Sequence, residues 1–152
     1  MLRRTNAGVG GGIALEQSFS RLSMEGLVIA APMNELAVRN AKYASECTEL
    51  HLGGKSLAAL HDTSGDANND FERFVNLEVL WVNNNRLTRV EGLDANFRCK
   101  VLFAHGNKIA SLRDSSISSM TFLNTLTLAN NQLADFKGTL EVKREIVKGS
   151  AN

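Results

Sequence analysis

The residues able to do chemistry are few in this chain, and their spacing is poor for it. GGKS at 53–56 resembles the tail of a phosphate-binding loop, but the full motif needs a glycine five residues before Gly54, where the chain has Glu49. A carboxylate in that place repels phosphate. GVGGG at 8–12 lacks the flanking strand and helix that would aim its backbone at a ligand. His51, His61 and His105 are scattered, with no pair at metal-ligand spacing. His105 faces the serines of DSSISS at 114–119 with nothing to place a nucleophile or an oxyanion donor beside it. These motifs imply no enzyme, no metal, no cofactor and no small-molecule substrate.

Composition narrows the field further. With 43% apolar and 22% charged residues over 152 positions, the chain is suited to one domain with an ordinary core. Lys and Arg number 17 against 16 Asp and Glu, so a formal charge of +1 provides no field for nucleic acid or an anionic membrane. The longest apolar run, GLVIAAP at 26–32, is far below the ~18 residues that cross a bilayer. MLRR at the start, with no acid before Glu16, has the charge of an organelle presequence, but the glycine run opposes the amphipathic helix a presequence forms. Any partner must be selected by shape.

The elements that would position such a surface repeat. Apolar residues at Leu77, Leu80 and Val82, followed by Asn85, Leu87 and Val90, return at Cys99, Leu102, Ala104, Asn107, Ile109 and Leu112, a shift of 22. They return once more at Leu123, Leu126, Leu128, Asn131, Leu133 and Phe136, a shift of 24. An earlier copy fits Cys47, Leu50, Leu52, Leu57 and Leu60, with Lys55 in the asparagine slot, which predicts a looser turn at an end copy. HDTSGDANND at 61–70 lengthens that copy and reads as an extruded loop. In the return after Val90, in the second copy, Asn96 stands where a leucine is usual, and Phe97 is expected to fill the gap.

This pattern, L-x-x-L-x-L-x-x-N-x-L, resembles the leucine-rich repeat, and its length resembles the short class found in a regulatory subunit of type 1 protein phosphatase and in an axonemal dynein light chain. The resemblance covers roughly residues 45–137. It implies an α/β solenoid of about four repeats with a short parallel sheet on its concave face. Strands are expected at 49–53, 79–83, 101–105 and 125–129. Asn85, Asn107 and Asn131 are expected to turn inward as a structural ladder that satisfies backbone groups leaving each strand.

With the leucine slots inside, the alternating residues must face outward. His51, Trp81, Phe103 and Thr127 form the central outward column, with Glu49, Val79, Val101 and Thr125 on one side and Gly53, Asn83, His105 and Ala129 on the other. Trp81 and Phe103, backed by Val79 and Val101, make an apolar patch of the kind that marks protein contact. His51, His105, Asn83 and Thr127 supply its polar rim. Cys47 and Cys99 occupy first slots two copies apart, about 10 Å at the usual strand spacing, so they are expected to be buried free thiols, as suits a reducing compartment.

Around the repeats at 46–137, the reading expects an extended or disordered arm at 1–31, a capping helix at 32–45 with Leu36, Tyr43 and Ala44 on its buried face, and a C-terminal capping helix and tail at 138–152. The resemblance implies a non-catalytic scaffold or adaptor, cytoplasmic and incorporated with protein partners in a ciliary or flagellar axonemal assembly. A soluble regulatory subunit of an enzyme such as a protein phosphatase is the alternative. An RNA-binding role is disfavoured because the outward columns carry no arginine or lysine cluster.

Overall fold

The computed structural model describes residues 21–22, 26–61 and 70–134. An antiparallel pair, β1 (Arg21–Leu22) and β2 (Val28–Ile29), precedes a 3₁₀ turn at Pro32–Glu35 and a short helix, α1 (Ala41–Glu46). Four three-residue strands follow: β3 (Glu49–His51), β4 (Val79–Trp81), β5 (Val101–Phe103) and β6 (Thr125–Thr127). They form one parallel sheet in chain order, β3-β4-β5-β6. The fold is therefore mixed α/β with a parallel sheet.

Strand pairing aligns Leu50, Leu80, Leu102 and Leu126 in one row, flanked by the rows Glu49, Val79, Val101, Thr125 and His51, Trp81, Phe103, Thr127. Because side chains alternate along a strand, the leucine row points one way and both flanking rows the other. Leu80, Leu102, Val82, Leu87, Ile109 and Leu123 are fully buried in one continuous core. Strand geometry covers three residues rather than the expected five, yet pairing continues past it: Leu52 N donates to Trp81 O at 2.7 Å, Val82 N to Phe103 O at 2.9 Å and Ala104 N to Thr127 O at 3.0 Å.

The strands end early because the chain turns at once. Gly54, Asn84, Gly106 and Asn130 occupy the same place in successive turns, and all have positive φ, from 55° to 71°. Glycine and asparagine tolerate that left-handed backbone best. At Gly106 a Cβ would also run into the Asn84 side-chain amide, which would have to turn away. The next residue is the slot asparagine. Asn107 Oδ1 accepts from Leu87 N at 3.0 Å, while its Nδ2 donates to Val82 O at 2.9 Å and Ala104 O at 3.0 Å. Asn85 and Asn131 repeat the arrangement, each joining its own turn to the preceding one. At Lys55, where the asparagine is missing, the backbone N–H donates to Asn85 Oδ1 at 2.9 Å and the ammonium lies 3.3 Å from Glu35.

The segment before β3 departs from the expected single helix over 32–45. Pro32 begins a 3₁₀ turn, Leu36 is extended with φ −82° and ψ 142°, and Asn40 starts α1 by accepting from Tyr43 N at 3.0 Å. The helical path is thus left at Leu36, and the Asn40 side chain caps a second start five residues after Glu35. Ala44 is buried and Leu36 partly so, but Tyr43 is exposed. Part of the expected arm is core: Ile29, Ala30 and Ala31 are buried, with Ala30 N donating to Ala59 O at 3.0 Å and Ala58 N to Val28 O at 2.8 Å. Most of the arm, the loop at 62–69 and the C-terminal cap expected at 138–152 lie outside the described residues.

Two further expectations are corrected. Asn96 is itself buried, its Nδ2 donating to Phe71 O at 3.0 Å and Phe74 O at 3.1 Å, while Phe97 is exposed with the Arg98 guanidinium 5.8 Å from its ring centre. Phe71 O and Phe74 O already accept from Phe74 N and Leu77 N, and the Asn96 amide adds a second donor to each while its own Oδ1 stays buried without a partner among the described residues. Both cysteines are free, but Cys99 is buried and Cys47 only half-buried. Burial raises the Cys47 thiol pKa and pushes that of Cys99 up to about 11.

Candidate interaction face

The open face of the sheet is built from the residues that alternate with the leucines. His51, Trp81 and Phe103 sit side by side on β3, β4 and β5. The His51 and Trp81 rings stack at 3.9 Å between centres with 13° between planes, and Trp81 and Phe103 at 5.2 Å with 23°. Neighbouring strands lie about 4.8 Å apart, so flat rings at these angles stand upright like plates in a rack. Their edges face solvent and their faces cover one another. His105 meets Phe103 edge-on at 6.4 Å and 83°.

The remaining predicted residues fall around this row. Val79 and Val101, half-buried and paired across β4 and β5, flank it toward the strand starts. Toward the strand ends lie Asn83 and His105, whose Nδ1 is 2.9 Å from Thr127 Oγ1. Thr127 Oγ1 also accepts from Ala104 N at 3.2 Å, so Thr127 is tied into the sheet as well as the face. Trp81 and Phe103 are half-buried, and His51 is exposed. The residues that sequence reasoning missed as structural partners of this face are the left-handed turn positions Asn84, Gly106 and Asn130; their signal was the recurrent Gly or Asn directly before each slot residue.

The electrostatics are sparse. Across the three outward rows the only formally charged residue is Glu49, which is exposed. The ion pairs of the described residues are Lys55 with Glu35, Arg73 with Asp70, Arg89 with Glu91 and Lys100 with Glu78, and Glu49 is in none of them. Among the described residues no group of three or more His, Cys, Asp or Glu is placed to hold a metal ion. No helix of the described residues is long and apolar enough to cross a membrane. Physically, the face offers ring edges and imidazole and amide groups over an apolar floor.

No family model matches the chain, and no curated protein matches it. Among solved structures it is similar to an internalin from Listeria monocytogenes, at 17% identity and a TM-score of 0.34 over 72% of this chain. The match spans 44% of the internalin chain, less than half of its length. At that level the likeness assigns neither a family nor a function.

Proposed function

We propose that this chain is a non-catalytic protein-interaction module of the short leucine-rich repeat kind, a four-copy solenoid that binds a segment of another protein across Trp81 and Phe103. The observation that carries this reading is the row of stacked, half-exposed rings on the open face of the sheet. A soluble chain gains little by keeping its sole tryptophan at a surface, whereas tryptophan dominates binding hot spots, where its loss often costs 2 kcal/mol or more. His51, His105, Asn83 and Thr127 supply the polar rim, and Val79 and Val101 the apolar floor. Recurrence of the 22-residue beat in the aligned leucine row supports the repeat assignment.

The test pairs binding with folding. A Trp81→Ala, Phe103→Ala double variant that still melts cooperatively is expected to lose partner capture at least tenfold; full capture by such a folded variant rejects the reading. Within this reading the chain is a structural scaffold of a ciliary or flagellar axoneme. A tagged copy expressed in ciliated cells should stay on axonemes after detergent extraction. Free extraction instead favours a soluble regulator.

A further inference from the structure

Resting on the concave-face reading above, we propose that the open end of the ring row is an arginine subsite: a partner guanidinium lies flat on the free face of His51 while its N–H groups reach the Glu49 carboxylate. The stack itself selects the place. Trp81 has His51 against one face and Phe103 against the other, so the indole offers a partner its edge alone. His51 stacks on Trp81 from β3, the first strand of the sheet, and is exposed, which leaves its far face as the free end of the row.

Glu49 stands two residues before His51 on the same strand and, by alternation, on the same face. The strand rise puts the two positions about 6.6 Å apart, within the reach of one guanidinium that covers the imidazole and turns its fork toward the carboxylate. Glu49 is the sole formal charge on the three outward rows and takes part in none of the ion pairs of the described residues, so charge complementarity calls for a cation at this end. The nearest basic candidate on the following turn, Lys55, is already engaged with Glu35 at 3.3 Å. Arginine fits better than lysine because only a planar cation can stack on a ring and present two parallel N–H groups to a carboxylate at once. An acidic side chain is repelled by Glu49.

Three fluorescein-labelled peptides of one leucine- and glycine-containing sequence, differing only in a central arginine, lysine or glutamate, can be titrated against the full chain and followed by anisotropy. The arginine peptide is expected to bind about fivefold or more tighter than the other two, a difference of the size that one charge-assisted bidentate contact gives. Glu49→Gln, a surface change that leaves the core alone, should bring the three within about twofold of each other. Three equal affinities that vanish together in Trp81→Ala overturn the arginine subsite while leaving the concave face as the docking site. An arginine preference that persists in Glu49→Gln also overturns it. Three peptides that do not bind at all overturn the subsite, and the partner-capture experiment then decides the fate of the face separately.

Discussion

Two ladders run across the sheet back to back. Inside, Asn85, Asn107 and Asn131 climb from turn to turn, with oxygen and nitrogen both engaged by backbone groups at 2.8–3.0 Å. Outside, His51, Trp81 and Phe103 climb by the same strand spacing, bound to one another by stacking alone. The inner ladder is closed, because the amide oxygen and nitrogen of every rung are both taken up by backbone groups. The outer ladder is open at its His51 end and along its edges. One backbone rhythm thus generates both, and the difference lies in what each is free to do: the first has no polar capacity left for a ligand, and the second is held by little besides ring contact.

The strongest break in this contrast is Asn107→Leu. The leucine keeps the approximate shape but strands Leu87 N in a buried seam and takes one of two amide donors from Val82 O and from Ala104 O, which keep Asn85 Nδ2 and Asn131 Nδ2. A buried N–H left without a partner costs about 1–3 kcal/mol and each lost second bond about 0.5–1.5 kcal/mol, so the expected loss is about 2–6 kcal/mol, a large share of the stability of a domain of this size. Urea unfolding with intact slope measures it. A loss below about 1 kcal/mol would show that water replaces the amide and that the inner ladder is not closed.

How much of this was legible follows from which forces are periodic. Alternation along a strand and the 22-residue beat put Leu80 inward and Trp81 outward without ambiguity, since a one-residue slip would reverse every side chain. The inward turn of Asn107 was legible for the same reason: a polar residue recurring among leucines must meet backbone. What failed was local and aperiodic. The chain turns extended at Leu36, and Asn40 caps a fresh start by accepting from Tyr43 N, a local restart that propensity does not resolve. Asn96 looked like a flaw in the apolar pattern, whereas its amide adds a second donor to Phe71 O and Phe74 O, residues 25 and 22 positions away that only the folded chain brings to it. Cys47 and Cys99 share a slot but not a depth, because only Cys99 has a copy on each side within the sheet. The binding role proposed for Trp81, Phe103, His51, His105, Asn83 and Thr127 is not contained in the period at all; a repeat dictates which residues face outward and leaves their identity free.

A sharper and smaller effect comes from the two thiols. Cys99 in the core keeps its proton up to a pH of about 11, because burial penalises the thiolate, against an ordinary value of 9.0. In the unfolded chain the proton leaves near the ordinary value. Between the two the unfolded state binds fewer protons than the folded one, so stability is untouched below pH 9 and falls as pH rises toward 11, by about 2–3 kcal/mol in all. Unfolding free energies at pH 8, 9, 10 and 11 should show that slope flattened in Cys99→Ala. The same burial predicts that iodoacetamide at pH 8 modifies half-buried Cys47 well before Cys99. Equal labelling rates in the folded protein would mean that the core opens as readily as the edge.

The smallest expected effect on stability belongs to the residue with the largest expected effect on binding. Trp81→Ala removes two ring contacts, at 3.9 and 5.2 Å, but opens no sealed cavity, because the indole edge already meets solvent. The stacking of two aromatic pairs and a partial loss of burial put the cost at about 1–2 kcal/mol, against the 2–5 kcal/mol usual for a core leucine. Leu80→Ala, one position earlier on the same strand and fully buried, is the matched control. If Trp81→Ala destabilises the chain as much as Leu80→Ala, the indole belongs to the core and the outer ladder is a second seam. A cost several-fold smaller would leave the indole as surface maintained against water, which is the condition under which a partner gains from covering it.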